Sequence, residues 1–207
     1  NLQVTELERE FDAICLAIGS TIPRDLQVPG RNLSGIHFAM EYLTQQNRRI
    51  SGTEMSVEDV ITAKDKTVVI LGGGDTGADC LGTAHRQGAK QVIQGEILSE
   101  PPKERKADNP WPQWPLVFRS SAAHEEGGDR KYDITTKAFS GKDGRVQSLT
   151  CARVEWIAGE GTNRPEMREI DGGEFEIKVD LVLLAMGFVH PDPNGLLTDL
   201  GVELDQR

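Results

Sequence analysis

Apolar positions along the chain gather into a few dense runs, and the shape of each run predicts an element. Val68 to Leu71 is short and continuously apolar, the pattern of a strand covered on both faces in a parallel sheet. It enters Gly72-Gly-Gly-Asp-Thr-Gly77 and then a helix-compatible stretch from Ala78 to Gln87, and after a break at Gly88 a second apolar strand runs from Gln91 to Leu98. Two other runs, Phe11 to Gly19 and Val179 to Gly187, echo each other. An Asp (Asp12, Asp180) opens each and an Ala-x-Gly closes it, and both read as core strands. Ser34 to Arg49 predicts a helix with Ile36, Met40 and Leu43 on one side, and residues 50–66 a polar connection. Tyr132–Phe139, Val146–Ile157 and Glu174–Val179 alternate as strands do. Asp143-Gly144 supplies a tight hairpin turn between the first two, and residues 159–163 a looser one before the third. The fold class is therefore α/β, a Rossmann-like parallel sheet with an antiparallel three-stranded β-meander.

Among 22 glycines a bare G-x-G-x-x-G would mean little, but here a strand precedes it and a helix follows. In that context Gly72 permits the tight turn, Gly74 lets the backbone approach a pyrophosphate, and Gly77 allows close packing of helix on strand. The helix starting near Asp75 aims its free N–H groups at the anion, so Gly73, Asp75 and Thr76 join the candidate site. Glu96 lies at the end of the second strand, where a partner for the adenosine ribose hydroxyls is expected. The alternative is a strand–helix turn that holds no ligand.

Composition removes several other functions. The 207 residues carry a net charge of −10 with no basic run, which argues against nucleic acid as a partner. No apolar stretch approaches the roughly 20 residues of a membrane span, and the first residues lack a signal-peptide pattern. Cys15, Cys80 and Cys151 are far apart with no C-x-x-C and no His at ligand spacing, so no metal site, disulfide framework or dithiol chemistry is expected. All three read as small buried hydrophobes in a reduced, cytoplasmic setting. His85 and His124 read as structural or solvated, and Glu125-Glu126 as a solvent-facing loop, leaving no acid–base catalyst to assign.

A nucleotide βαβ unit, a meander and flanking Ala-x-Gly strands together resemble the NAD(P)H domain of flavoprotein oxidoreductases with two dinucleotide-binding domains. Gly72 to Cys80, Thr83-Ala-His-Arg-Gln-Gly-Ala89, Asp108-Asn-Pro-Trp-Pro-Gln-Trp-Pro115, Val154-Glu-Trp156 and Asp180 to Phe188 narrow the resemblance to the glutamate synthase small (beta) subunit family. It implies a piece excised from a larger FAD- and NAD(P)H-binding protein. Residues 1–34 would flank from the FAD domain, 35–190 would form the NAD(P)H-binding domain, and 191–207 would begin the return. Gly187, closing the second Ala-x-Gly strand, would allow close approach by a backbone or a ligand. The intact protein would pass hydride from NADH or NADPH to FAD. Electrons would go on through 4Fe-4S clusters to the large (alpha) subunit, where glutamate forms from glutamine and 2-oxoglutarate. FAD and the clusters are not expected in this fragment.

Cofactor choice stays open. The charge of Glu96 favours NADH, whereas Lys103, Arg105 and Lys106 would accommodate NADPH if their loop folds back over the ribose. That loop, Pro101 to Pro115, is stiffened by prolines; Trp111 and Trp114 either pin it to its own domain or form a partner face, and Trp156 reads as core. Two other functions fit the same residues: a related flavoprotein subunit feeding a different acceptor, and a nucleotide-sensing module without electron transfer.

Overall fold

The computed structural model describes residues 3–56, 60–159 and 165–205. In chain order its elements are α1 (Val4–Glu10), β1 (Ile22–Pro23), β2 (Ile36–Phe38), α2 (Ala39–Ile50), β3 (Thr67–Leu71), α3 (Gly74–Arg86), β4 (Gln91–Gly95) and α4 (Ala122–Glu125). There follow β5 (Asp129–Lys131), β6 (Ile134–Lys142), β7 (Arg145–Ala158), β8 (Pro165–Lys178), β9 (Leu181–Leu184), β10 (Phe188–His190) and α5 (Leu196–Asp199). Two compact units divide the chain, one spanning Leu26–Ala185 and the other combining Asn1–Asp25 with Met186–Arg207.

The Leu26–Ala185 unit is built on a five-stranded parallel sheet of order β2-β9-β3-β4-β5. Its central strands are apolar at nearly every position because both faces are covered. Val68, Ile70, Val92, Leu181 and Leu183 pack with Ala39 and Tyr42 of α2 and with Cys80, Leu81 and Ala84 of α3. On the opposite face Ile134, the first residue of the meander, sits against Gly95 and would touch a Cβ there at 2.9 Å. The meander itself is antiparallel, in the order β6-β7-β8. Asp143 and Gly144 both have positive φ, 53° and 74°, which is what a two-residue hairpin turn requires. The turn expected over residues 159–163 lies almost wholly outside the described residues. In the second unit β1 pairs with β10, antiparallel. Among the described residues no helix is long and apolar enough to cross a membrane.

Several elements differ from expectation. Phe11–Gly19 is not a strand: among the described residues nothing pairs with it, and its apolar side chains are half-buried or exposed. A run meant to be covered on both faces has no sheet to enter. Cys15 is accordingly exposed, not buried. The helix expected from Ser34 starts at Ala39, preceded by the three-residue strand β2; its buried residues are Ala39 and Tyr42, while Met40 is exposed. A strand of three residues is too short to break the helical period that Ile36, Met40 and Leu43 suggest. β4 ends at Gly95 rather than Leu98, leaving Ile97 and Leu98 exposed. β8 begins at Pro165, well before Glu174, because its first half is exposed on both faces and shows no alternation. Trp156 is half-buried, not core, and its indole N–H donates to the Ile97 carbonyl at 3.0 Å.

Candidate nucleotide-binding site

The buried strand β3 delivers the chain to the glycine turn at the carboxyl edge of the sheet. There Gly72 N–H donates to Gly95 O at 2.9 Å, extending the β3–β4 ladder by one bond. Gly72 and Gly74 have φ of 112° and 71°, values that favour glycine. Gly73 is the N-cap of α3 and has no side chain with which to cap it. The three glycines of the motif meet different surroundings. A Cβ on Gly77 would lie 2.6 Å from Gln94 Nε2 and 2.7 Å from Gly72 O, so helix and strand pack too closely for any side chain. A Cβ on Gly74 would meet nothing within 4 Å, and both Gly74 and Asp75 are exposed, with Thr76 half-buried. A Cβ on Gly73 would overlap the Glu96 carboxyl group. The first turn of α3 is thus open on one side, at Gly74, and has the Glu96 carboxyl group against Gly73 on the other.

Glu96 follows β4 directly, fixed by its N–H donating to Lys131 O at 2.8 Å. Burial raises its pKa, and the nearby Arg130 guanidinium works the other way. Beneath the turn a hydrogen-bonded chain holds its shape. Ser121 N–H donates to His124 Nδ1 at 3.2 Å, which puts the ring proton on Nε2. His124 Nε2 donates to Gln94 Oε1 at 3.0 Å, and Gln94 Nε2 donates to Gly72 O at 3.0 Å. Gln94 is buried, and this chain satisfies both ends of its amide. Burial, with a smaller contribution from Arg130, lowers the His124 pKa and favours the neutral ring this chain needs.

The other expected site residues lie elsewhere. Arg105 Nη1 donates to the carbonyls of Asn109 and Gln113, at 3.1 and 3.2 Å, and so orders its own loop. Lys103 and Lys106 are exposed in that loop. Gly187, with φ of 80°, belongs to the other unit, where its carbonyl accepts from Arg24 N–H. Trp111 and Trp114 are 83% and 72% exposed, so neither anchors the loop by burial. Asn109 does that instead: Nδ2 donates to Gln113 Oε1 and Trp114 O, both at 3.1 Å, and Oδ1 accepts from Leu116 N–H at 2.9 Å. Cys80 and Cys151 are buried, which pushes their thiol pKa values up to about 12 and about 11 and leaves them inert. Sequence reasoning missed Gln94, Asn109 and Arg130. Asn109 stands within the Asn-Pro-Trp segment, whereas Arg130 comes from a strand reading Asp-Arg-Lys, with no apolar pattern to announce it.

Residues 2–207 match the family model described as pyridine nucleotide-disulphide oxidoreductase. The chain belongs to that family. It is 50% identical over 210 residues to the glutamate synthase [NADPH] small chain of Mycobacterium tuberculosis, an alignment covering 100% of this chain and 42% of the relative. It is 44% identical over 214 residues to the glutamate synthase [NADH] of Schizosaccharomyces pombe, covering 100% of this chain and 10% of that one. The chain therefore spans less than half the length of these curated relatives. Among solved structures, Mycobacterium tuberculosis FprA in complex with NADPH matches with a TM-score of 0.60 at 16% identity, over 94% of this chain and 54% of that one. The thioredoxin reductase of T. acidophilum matches with a TM-score of 0.51 at 18% identity, over 91% of this chain and 48% of that one. At such identities these two structures speak for the fold alone, and the fold is that of flavoprotein oxidoreductases with two dinucleotide-binding domains. Within this family the chain is a glutamate synthase small-subunit-like oxidoreductase domain.

Proposed function

We propose that the Leu26–Ala185 unit binds the nicotinamide dinucleotide of a glutamate synthase small subunit, with the pyrophosphate on the first turn of α3. One observation carries the reading: the open space at Gly74, beside a Gly77 too crowded for any Cβ, at the point where a doubly covered strand meets a helix N-terminus. Gly73, Gly74, Asp75 and Thr76 would present backbone N–H groups to the phosphates, and Glu96 would accept from the adenosine ribose hydroxyls. Gln94 and His124 would hold the Gly72 carbonyl out of the phosphate path.

When bound, the reduced nucleotide would supply a hydride for FAD in the whole protein, and electrons would pass on through iron-sulfur clusters to a large subunit that makes glutamate from glutamine and 2-oxoglutarate. For its part this chain would orient the dinucleotide at the carboxyl edge of the sheet; hydride transfer between two ring systems asks no acid–base residue of it. The names of the relatives, small chains of glutamate synthase, support a large-subunit partner; a cytoplasmic setting is part of the same proposal. Calorimetric titration of the chain with NADH and NADPH tests the binding step. Saturable binding that Gly74→Val abolishes is expected; no heat from either nucleotide would overturn the reading. Glutamine-dependent glutamate formation by the full-length protein with its large subunit tests the remainder.

A further inference from the structure

One charged side chain beside Glu96 lies outside both the glycine motif and the basic loop that follows Glu96. Arg130 lies on β5, in parallel register with Gln94 of β4. Parallel partners project to the same face, and Glu96 stands two residues beyond Gln94, so all three side chains share the face that carries α3. The guanidinium is held on several sides. It lies over the rings of Phe118, at 4.7 Å, and Tyr132, at 5.5 Å, and Nη1 donates to Arg119 O at 3.1 Å. Nη2 turns toward Glu96 Oε1 at 3.9 Å, within ion-pair range but beyond a hydrogen bond, and each side chain is only 19% exposed. A carboxylate and a guanidinium mostly withdrawn from water, yet beyond hydrogen-bond distance of each other, leave the facing oxygen and Nη2 without a closed bond to each other.

We infer that Arg130 admits the 2′-phosphate of NADPH, so that the Glu96–Arg130 pair, and not Lys103 or Arg105, decides between the two nucleotides. This rests on the dinucleotide site proposed above. Glu96 alone would repel a phosphomonoester at the ribose 2′ position. A guanidinium fixed beside it offsets that charge and offers a planar fork to the phosphate oxygens. Arg105 directs Nη1 to the carbonyls of its own loop, whereas the Arg130 guanidinium stands 3.9 Å from Glu96. The ring stacking and the bond to Arg119 O hold Arg130 in place before any ligand arrives, so little side-chain entropy is lost on binding.

The test is calorimetric titration of the wild-type chain, Arg130→Gln and Arg130→Lys with NADH and NADPH, after circular dichroism shows each variant folded. For Arg130→Gln the NADPH affinity is expected to fall about tenfold or more while the NADH affinity stays within about twofold. Arg130→Lys, which keeps the charge and loses the fork, is expected to shift the ratio the same way by about threefold, and it decides the matter if the Gln variant does not fold. Equal losses for both nucleotides would place Arg130 against a shared part of the ligand and overturn the inference, as would an unchanged ratio in the variant that folds. A wild-type chain that takes NADH and refuses NADPH would overturn it too. If the wild type binds neither, the dinucleotide site itself is wrong and this assignment falls with it.

Discussion

Gly74 and Gly77 stand three residues apart in one motif and answer to different demands. Gly77 is a packing glycine, with backbone on one side and a buried amide on the other, neither of which can yield cheaply. Gly77→Ala is expected to cost about 1–3 kcal/mol of stability, read as a lower denaturation midpoint. Gly74 has space, so Gly74→Ala loses only the backbone preference for positive φ, about 1–2 kcal/mol. In return it should weaken NADH and NADPH alike by about tenfold or more in calorimetric titration, because the added methyl enters the phosphate path. The reverse ranking, Gly74 critical for folding and Gly77 for binding, would show the roles misassigned. Glu96→Ala is expected to move the ratio of dissociation constants about tenfold toward NADPH by removing the repelling charge.

Among the elements, the Pro-rich loop shows how far sequence reaches. Its prolines announce a fixed, irregular segment, and its tryptophans attract attention, yet the organising residue is Asn109, whose amide closes three hydrogen bonds within the loop. Asn109→Ala should cost about 1–3 kcal/mol, whereas Trp111→Ala, at a side chain in water, should stay within about 0.5 kcal/mol. Paired chemical denaturation curves compare them directly. The parallel sheet and the meander were legible because burial writes an unbroken apolar run into β3 and β9, a short one into β4, and a partial alternation into β7. β5 was not, since a three-residue polar edge strand has no inward face to reveal, and with it Arg130 went unseen. Phe11–Gly19 misled for the converse reason: its composition specifies a strand, but a strand also needs neighbours.

The hydrogen-bonded chain from α4 to the glycine turn carries a pH dependence. Burial and Arg130 lower the His124 pKa in the folded state, while the unfolded chain takes up its proton near the ordinary value of 6.5. The neutral-ring contribution is thus complete above 6.5 and is lost as pH falls from there toward the folded value. His37 is also pushed down, chiefly by burial, so a residual slope persists in any His124 variant. His124→Gln should therefore show a smaller drop in melting temperature between pH 7.5 and 5.5 than the wild type. An equal drop would mean that His124 does not report on this network.

At the scale of the whole molecule, stability is distributed in the same way as the backbone hydrogen bonds. β3 is paired on both sides, to β4 and β9, beneath the helices, and its side chains beyond Thr67 are buried. Residues 12–20 include no backbone N–H that donates to another backbone group among the described residues. Hydrogen exchange read by mass spectrometry should place β3, β9 and α3 in the slowest class, the loop around Asn109 in between, and residues 12–20 in the fastest. Nucleotide then provides the sharper comparison. A ligand that binds only the folded chain slows every exchange that requires global unfolding, by about 2.7 kcal/mol at a hundred times its dissociation constant. Peptides that open locally slow only where the ligand touches them. Saturating NADPH should therefore protect the glycine turn, the segment after β4 and β5 while residues 12–20 exchange as before. Protection of residues 12–20 with the glycine turn unchanged would move the binding site to the other unit, and every role assigned to Gly74, Glu96 and Arg130 would go with it.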